Sequence, residues 1–237
     1  MACLAVLSDL HANLSALEAV RADLERRQVG HVLVLGDVVG YMARPNQVAR
    51  AVADAGWDCL AGNYDLAVLA GGERGVGNFL RQGIGPEPRA VFAWTEQRVH
   101  IGTRIFLSKL PRKIEMDTPA GRLLAVHGSP DAVRQYVYPD HPQEEIAAWL
   151  DKTGADILCM GHTHIPFARQ VGGGLVVNPG SVGKSKDGDP RASYALIELG
   201  PTPRAEIVRL EWDLEAEARL LTKAGLGRMA SRLAQGR

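Results

Sequence analysis

Cysteine is scarce in this sequence. Cys3, Cys59 and Cys159 stand far apart and odd in number, which argues against a disulfide framework and against a thiolate metal site. Each falls in or beside an apolar stretch and reads as a free buried thiol in a reducing compartment, so a cytoplasmic location is expected. Excess charge of one sign is missing too: 27 Lys and Arg balance 27 Asp and Glu. That balance argues against an extended nucleic-acid footprint and against a polybasic membrane surface. No apolar run is long enough to span a bilayer, so no membrane partner is expected. The apolar start, residues 1–7, lacks a basic leader and meets Asp9 at once, which makes it a strand and not a signal peptide. Internal repeats, low-complexity tracts and interdomain linkers are absent as well.

What remains is ordinary globular material. Apolar residues make up 46% of 237, enough to bury a sizeable core in one large domain or two small ones. Residues 2–7 read as a strand, and Asn13 as the N-cap of a helix whose Leu14, Leu17, Val20 and Leu24 recur at helical spacing. A second strand follows at 32–35. Pro45 opens a helix that Gly56 stops, and a third strand covers 57–61. Strand, loop, helix, strand is the parallel-sheet pattern. Residues 66–89 are rich in glycine without a sustained period, so an irregular insertion is expected, with a short helix at 65–69. Helices are expected at 88–100 and 103–109, a hairpin at 112–116 and 122–126, a helix at 142–151, and strands at 155–160, 166–170, 175–177, 192–198 and 205–210. Residues 213–235 form one or two amphipathic helices broken near Gly225 and Gly227; a homo-oligomer contact is one use for them.

Strand ends carry the chemistry. The apolar run 32–35 leads into Gly36-Asp37-Val38-Val39-Gly40, which taken alone is a turn holding up one carboxylate. Four other strand ends also stop in metal-competent side chains: Asp9 and His11, Asn63, His127, then His162 and His164. In an extended segment Asp9 and His11 would point the same way and converge. In open α/β sheets, ligands bind beyond the carboxyl ends of strands. Asp9, His11, Asp37, Asn63, His127, His162 and His164 therefore read as a metal site. Oxygen and imidazole donors without thiolate suit Mn, Fe, Zn, Ni or Co. Seven ligands need two ions, and a shared aspartate can hold them about 3.5–4 Å apart. Two divalent cations outweigh two aspartates, so the site should attract an anion even in a neutral protein.

The order Asp9-x-His11, Gly36-Asp37-x-x-Gly40, Gly62-Asn63-x-Asp65, His127-Gly128, Gly161-His162-x-His164 resembles the calcineurin-like metallophosphoesterase superfamily, and Asn178-Pro179-Gly180-Ser181-Val182-Gly183 is similar to its small bacterial phosphodiesterase branch. The likeness runs from residue 9 to about residue 183. It implies an α/β fold, a four-layer αββα sandwich with C-terminal helices. One metallophosphoesterase domain would fill residues 1–237, with its core at 1–211 and a helical extension at 212–237. It further implies two divalent transition metal ions, manganese foremost: Asp9, His11, Asp37 and His164 on one, Asp37, Asn63, His127 and His162 on the other, and Asp37 bridging. The implied reaction is in-line attack of a metal-bridging hydroxide on a small phosphoester or nucleotide substrate, with Asn63 helping to neutralise phosphoryl charge.

One position departs from the pattern. The family commonly has histidine third in Gly-Asn-x-Asp, as proton donor to the leaving oxygen, and this chain has Tyr64. Phenol titrates near 10 against about 6.5 for imidazole, so Tyr64 is a poorer donor at neutral pH. Good leaving groups are therefore expected: nucleotide or aryl phosphodiesters and phosphoanhydrides. The alternatives are a monoester or dinucleoside polyphosphate hydrolase, and a non-catalytic protein-binding scaffold on the same fold. Arg134, Tyr136 and Tyr138, and separately Lys184, Lys186 and Arg191, stand where a substrate could be met.

Overall fold

The computed structural model describes residues 3–80 and 85–236. Ala2, at the edge of the expected first strand, and residues 81–84 of the glycine-rich stretch lie outside the described residues.

Two five-stranded sheets form the centre. The first has the order β10 (Arg204–Leu210), β9 (Ala192–Glu198), β1 (Cys3–Leu7), β2 (His31–Val34), β3 (Asp58–Cys59). The second has the order β4 (Lys113–Thr118), β5 (Gly121–Val126), β6 (Ile157–Cys159), β8 (Gly174–Asn178), β7 (Phe167–Val171). Strands β1, β2 and β3 run parallel, as do β5, β6 and β8. Parallel pairing sends all their carboxyl ends the same way, and that end is where the candidate ligands stand.

Alternation along these strands produces the layers. Leu4 and Val6 of β1 and Leu33 of β2 meet Leu123, Ala125, Ile157, Cys159 and Val177 in a core between the sheets. The intervening residues, Ala5, Leu7, Val32 and Val34, face outward onto α1 (Leu14–Arg26) and α2 (Pro45–Ala55) through Leu17, Val20, Val48 and Val52. On the second sheet Leu124, Leu158 and Val176 face Ile146, Trp149 and Leu150 of α7 (Gln143–Thr153). Helix, sheet, sheet, helix is the four-layer sandwich the sequence led us to expect. Asn13 caps α1 by accepting from Ala16 N, and Gly56 ends α2 in the left-handed conformation, both as expected.

The glycine-rich stretch is more ordered than expected. It holds α3 (Asn63–Ala70) and α4 (Gly72–Phe79), followed by α5 (Pro86–Arg98) and α6 (Ile101–Ser108). Its glycines serve close packing where they had read as looseness. A Cβ on Gly75 would stand 2.2 Å from the Ala67 carbonyl oxygen, so only glycine lets α4 fold back against α3. The expected third strand shrinks to two paired residues because Leu60 N still bonds Val34 O at 3.0 Å but Ala61 N turns to Pro111 O at 2.8 Å.

The C-terminal helices α8 (Leu214–Lys223) and α9 (Gly227–Ala234) pack Leu221, Met229 and Leu233 on Ala12, Met42 and Val91. Fully buried Glu217 anchors them to Arg44 with a 2.7 Å ion pair. Their apolar stripe thus faces the body of the protein. Among the described residues no helix is long and apolar enough to cross a membrane.

Candidate metal centre

Loops at five strand ends deliver the seven candidate ligands, and all seven are buried. They gather into two groups, Asp9 with His11 and His164, and Asp37 with His127 and His162; within each group the ligand atoms lie within 4.8 Å of one another. Each group draws on both sheets, so the centre straddles their seam. Asp37 Oδ2 is 3.6 Å from His11 Nε2 and 3.6 Å from His127 Nε2, which places one carboxylate oxygen between the groups. Asn63 Oδ1 joins the second group, 2.9 Å from His127 Nε2.

The backbone achieves this differently from the extended geometry expected for Asp9 and His11. Both residues have left-handed φ, 54° and 45°, and so do Asp37, His162 and His164 at 52°, 67° and 61°. Such conformations cost about 1–3 kcal/mol each in a non-glycine residue and persist only where surroundings impose them. Here the imposition is visible. Asp9 N bonds Gly36 O at 3.1 Å, His11 N bonds Asp37 O at 2.8 Å and Ala12 N bonds Val38 O at 2.9 Å, zipping the loops after β1 and β2 together. The β2 loop is clamped in turn to the start of α3. Asp65 accepts from Gly62 N, Val38 N and Val39 N at 2.9, 3.3 and 3.1 Å. Tyr64 N donates to Asp37 Oδ1 at 2.7 Å. The approach is so close that a Cβ on Gly36 would lie 2.2 Å from Gly62 N, and one on Gly62 would lie 2.1 Å from Asp37 Oδ1. Asn178 and Ser181 support the centre from the other side: the Asn178 amide donates to Gly161 O at 2.9 Å, and the Ser181 hydroxyl to Asp9 O at 2.8 Å.

Every imidazole is oriented by a main-chain carbonyl. Nδ1 of His11, His127 and His164 faces the carbonyls of Val39, Leu35 and Lys184, and Nε2 of His162 faces that of Arg134. A carbonyl only accepts, so it fixes the proton on the nitrogen facing it and leaves the other nitrogen as a bare lone pair. The consequence is an acceptor cluster. His11 Nε2 and His164 Nε2 stand 3.2 Å apart with no proton to share. Asp9 Oδ1 is buried beside them without a hydrogen-bond partner among the described residues. A buried oxygen and two opposed lone pairs are costly unless a cation sits among them. The residues therefore fit a divalent ion in each group, and the donor set of carboxylate, amide oxygen and imidazole is that of a hard to borderline transition metal.

Electrostatics agree with ligand-ready protonation. Burial pushes His164 down to about 3, and lowers His162 and His11, so these rings are held neutral. Burial disfavours ionised Asp9 as well, whereas the Ser8 hydroxyl and the His162 main-chain N–H, which donate to its Oδ2 at 2.7 and 3.0 Å, favour the carboxylate. Asp37 moves the other way: burial, then the charges of Asp9 and Asp65, raise it well above the usual carboxylate range. Burial also lifts Asp65 to about 6 against its three backbone bonds. Three carboxyls in one buried volume call for positive charge.

A cavity of about 380 Å³ opens onto Asp37, Asn63, His162 and His164. Tyr64 lines it too, buried in an aromatic group: its ring centroid is 4.8 Å from that of Tyr41 and 5.5 Å from that of His11. Burial raises the Tyr64 phenol well above its ordinary range. Arg134, Tyr136 and Lys186, considered from sequence as substrate contacts, reach the cavity, whereas Tyr138 and Arg191 are not on its wall. Tyr136 stacks on His162 with centroids 4.3 Å apart. Sequence reading missed Phe79, Leu80 and Pro88, which form an apolar wall; they sit in the stretch that showed no period, so nothing in the sequence marked them. It also missed Tyr41, one residue beyond the Gly36–Gly40 turn. Lys184 lies beneath, its Nζ 5.3 Å from the Tyr41 ring centre, and burial pushes it down to about 7.

Known proteins resemble this chain in sequence and fold. The family model of the calcineurin-like phosphoesterase superfamily domain matches residues 3–201. An uncharacterized protein of Methanocaldococcus jannaschii is 31% identical over 229 residues, covering 90% of this chain and 88% of that one. The crystal structure of a metallophosphoesterase from Sphaerobacter thermophilus superposes with a TM-score of 0.81 at 29% identity, covering 99% of each chain. A hypothetical protein from Pyrococcus horikoshii OT3 shares the fold, with a TM-score of 0.90 at 20% identity over 100% of this chain and 99% of that one.

Proposed function

This chain belongs to the calcineurin-like phosphoesterase superfamily, and we propose that it is a dinuclear-metal-dependent hydrolase of phosphodiester or phosphoanhydride bonds. The observation that carries the reading is the position of Asp37, whose Oδ2 is equidistant, at 3.6 Å, from a histidine of each ligand group. Asp9, His11 and His164 would hold one ion, Asn63, His127 and His162 the other, and Asp37 both. Manganese leads among the metals that suit these donors, and the three free cysteines fit a reducing cytoplasm.

When bound, the two ions supply a nucleophilic water near neutral pH and neutralise charge on the phosphoryl oxygens. The chain's own residues do the positioning. Carbonyl-anchored imidazoles arrive with lone pairs already aimed inward, so little reorganisation accompanies binding or reaction. The buried loops exclude bulk water from the floor, which strengthens each electrostatic contact. Asn63 stands at the cavity edge of the second group, where its amide meets a phosphoryl oxygen. Tyr64 orients the site through its backbone bond to Asp37, but its phenol, raised by burial, is a weak acid. Departure of the leaving group therefore rests on the stability of the departing anion.

The test is direct. Protein loaded with manganese should bind two ions per chain and hydrolyse bis(p-nitrophenyl) phosphate, and Asp37→Asn should stop the reaction. One ion per chain, or no hydrolysis with any of Mn, Fe, Zn, Ni or Co, overturns the reading and leaves a binding scaffold as the better account.

A further inference from the structure

We propose that Lys186 and Arg134 form an anion subsite beside the two ligand groups, and that the substrate is a phosphoanhydride whose second phosphate occupies it. This rests on the phosphoesterase reading and narrows its substrate class.

Three observations carry the proposal. First, both cations line the same cavity as Asp37, Asn63 and His162. Lys186 is half-buried there and makes no hydrogen bond or ion pair among the described residues. It shares that cavity with members of both ligand groups, His164 of the first and Asp37 and His162 of the second, and its charge acts on both. Second, both cations are held in place. The Lys184 carbonyl is bonded to His164, Asp187 pairs with Arg209, and Gly188 N bonds Gly236 O at 3.0 Å, so the chain is tied on either side of Lys186. Arg134 spends one N–H on Leu80 O at 2.5 Å and its carbonyl on His162 Nε2 at 3.2 Å, leaving the rest of its guanidinium for a ligand. Third, the local charge does not close on a simple diester. Set against Asp9, Asp37, Asp65 and the nucleophilic hydroxide, two divalent ions with Lys186 and Arg134 would leave a surplus of about two positive charges. A phosphodiester neutralises about one of these, and a diphosphate chain about two or three.

The chemistry of departure points the same way. In hydrolysis of a phosphoanhydride, the oxygen of water forms a new P–O bond and the P–O bond to the bridging oxygen breaks. The electron pair leaves on the second phosphate, and the water's proton passes to solvent. A phosphate leaving group is stable as an anion at neutral pH and needs no proton. That suits Tyr64, a weak acid where imidazole is common in the family. Lys186 then meets the charge that develops on the departing oxygen.

The probes are α,β-methylene-ADP, which carries two linked phosphates that do not hydrolyse, and AMP, which carries one. Calorimetric titration into manganese-loaded protein, with manganese in excess, should show the first binding at least about tenfold more tightly than the second, as expected for added charge-assisted hydrogen bonds. Lys186→Gln and Arg134→Gln should each bring that ratio toward one, and Lys186→Arg should keep most of it. In turnover, Lys186→Gln should lower kcat/KM for a diphosphate-linked substrate about tenfold more than for bis(p-nitrophenyl) phosphate. If wild-type protein hydrolyses the aryl diester while the affinity ratio is the same in Lys186→Gln, the subsite is wrong and the phosphoesterase reading stands. If nothing is hydrolysed but Lys186→Gln still loses the ratio, the subsite stands and the hydrolase reading falls.

Discussion

The floor of the cavity and its wall are built on opposite terms. On the floor, Asp9, His11, Asp37, His162 and His164 all occupy left-handed backbone, and each imidazole is pinned by a carbonyl. On the wall, Phe79, Leu80 and Pro88 sit at helix ends with none of the positive φ angles seen on the floor. The floor is specified by main chain, the wall by side chains. On the proposed function, reaction type would be set by the floor and substrate choice by the wall.

The largest effect that bears on this contrast should come from Asp37→Ala. Because its carboxylate serves both ligand groups, activity should fall at least about a thousandfold, and further than in His127→Ala or His164→Ala measured side by side. Retention of both metals and of activity in Asp37→Ala would remove Asp37 from its central role. Next, Gly62→Ala should destabilise the fold by about 2 kcal/mol or more, seen as a fall in Tm of about 4–8 °C, because the new Cβ meets main chain and carboxylate. Lys186→Ala on the wall should change Tm by no more than about 2 °C. Equal shifts would erase the distinction.

A smaller change is expected at the boundary. Tyr64→His should raise turnover of poor-leaving-group esters about tenfold while altering aryl esters little, because only the former need a proton. A leaving-group series with unchanged slope would show that Tyr64 only packs. A separate effect concerns pH. The folded chain releases the Lys184 proton near 7, the unfolded chain near the ordinary 10.5. Between those values the unfolded state binds more protons, so stability rises with pH, by at most about 1.4 kcal/mol per unit. Denaturant midpoints of metal-free Lys184→Met from pH 7 to 10 should lack that rise; an unchanged slope assigns it elsewhere.

The same contrast explains what was legible in the sequence. The apolar runs of β1 and β2, the Asn13 and Gly56 caps and the order of metal-competent side chains were readable because each depends on local pattern. That Asp9 and His11 gather with other metal-competent side chains was readable, but the way they converge was not. They meet through left-handed turns imposed by hydrogen bonds to the β2 loop, a tertiary effect that no spacing encodes. Gly75 misled for a related reason. A glycine that permits helix contact and a glycine that loosens a loop look identical until the partner, here the Ala67 carbonyl, is known. Phe79, Leu80 and Pro88 carried no mark, since a wall needs only apolar bulk at the right place.

Gly36 and Gly62 carry a further consequence. A Cβ on Gly36 would meet the main chain of Gly62 and Ala61, and one on Gly62 would meet the nitrogen and the carboxylate of Asp37. A clash with a dispensable side chain can be cured by shrinking that side chain, but the atoms here are main chain and the carboxylate of Asp37, which stands between the two ligand groups. Trimming a neighbour therefore offers little relief at either position, and the joint between the two loops should accept little substitution. The wall is bound by no such rule. Phe79 and Leu80 meet the cavity without that constraint, so exchanges there are expected to change its shape and leave the floor intact.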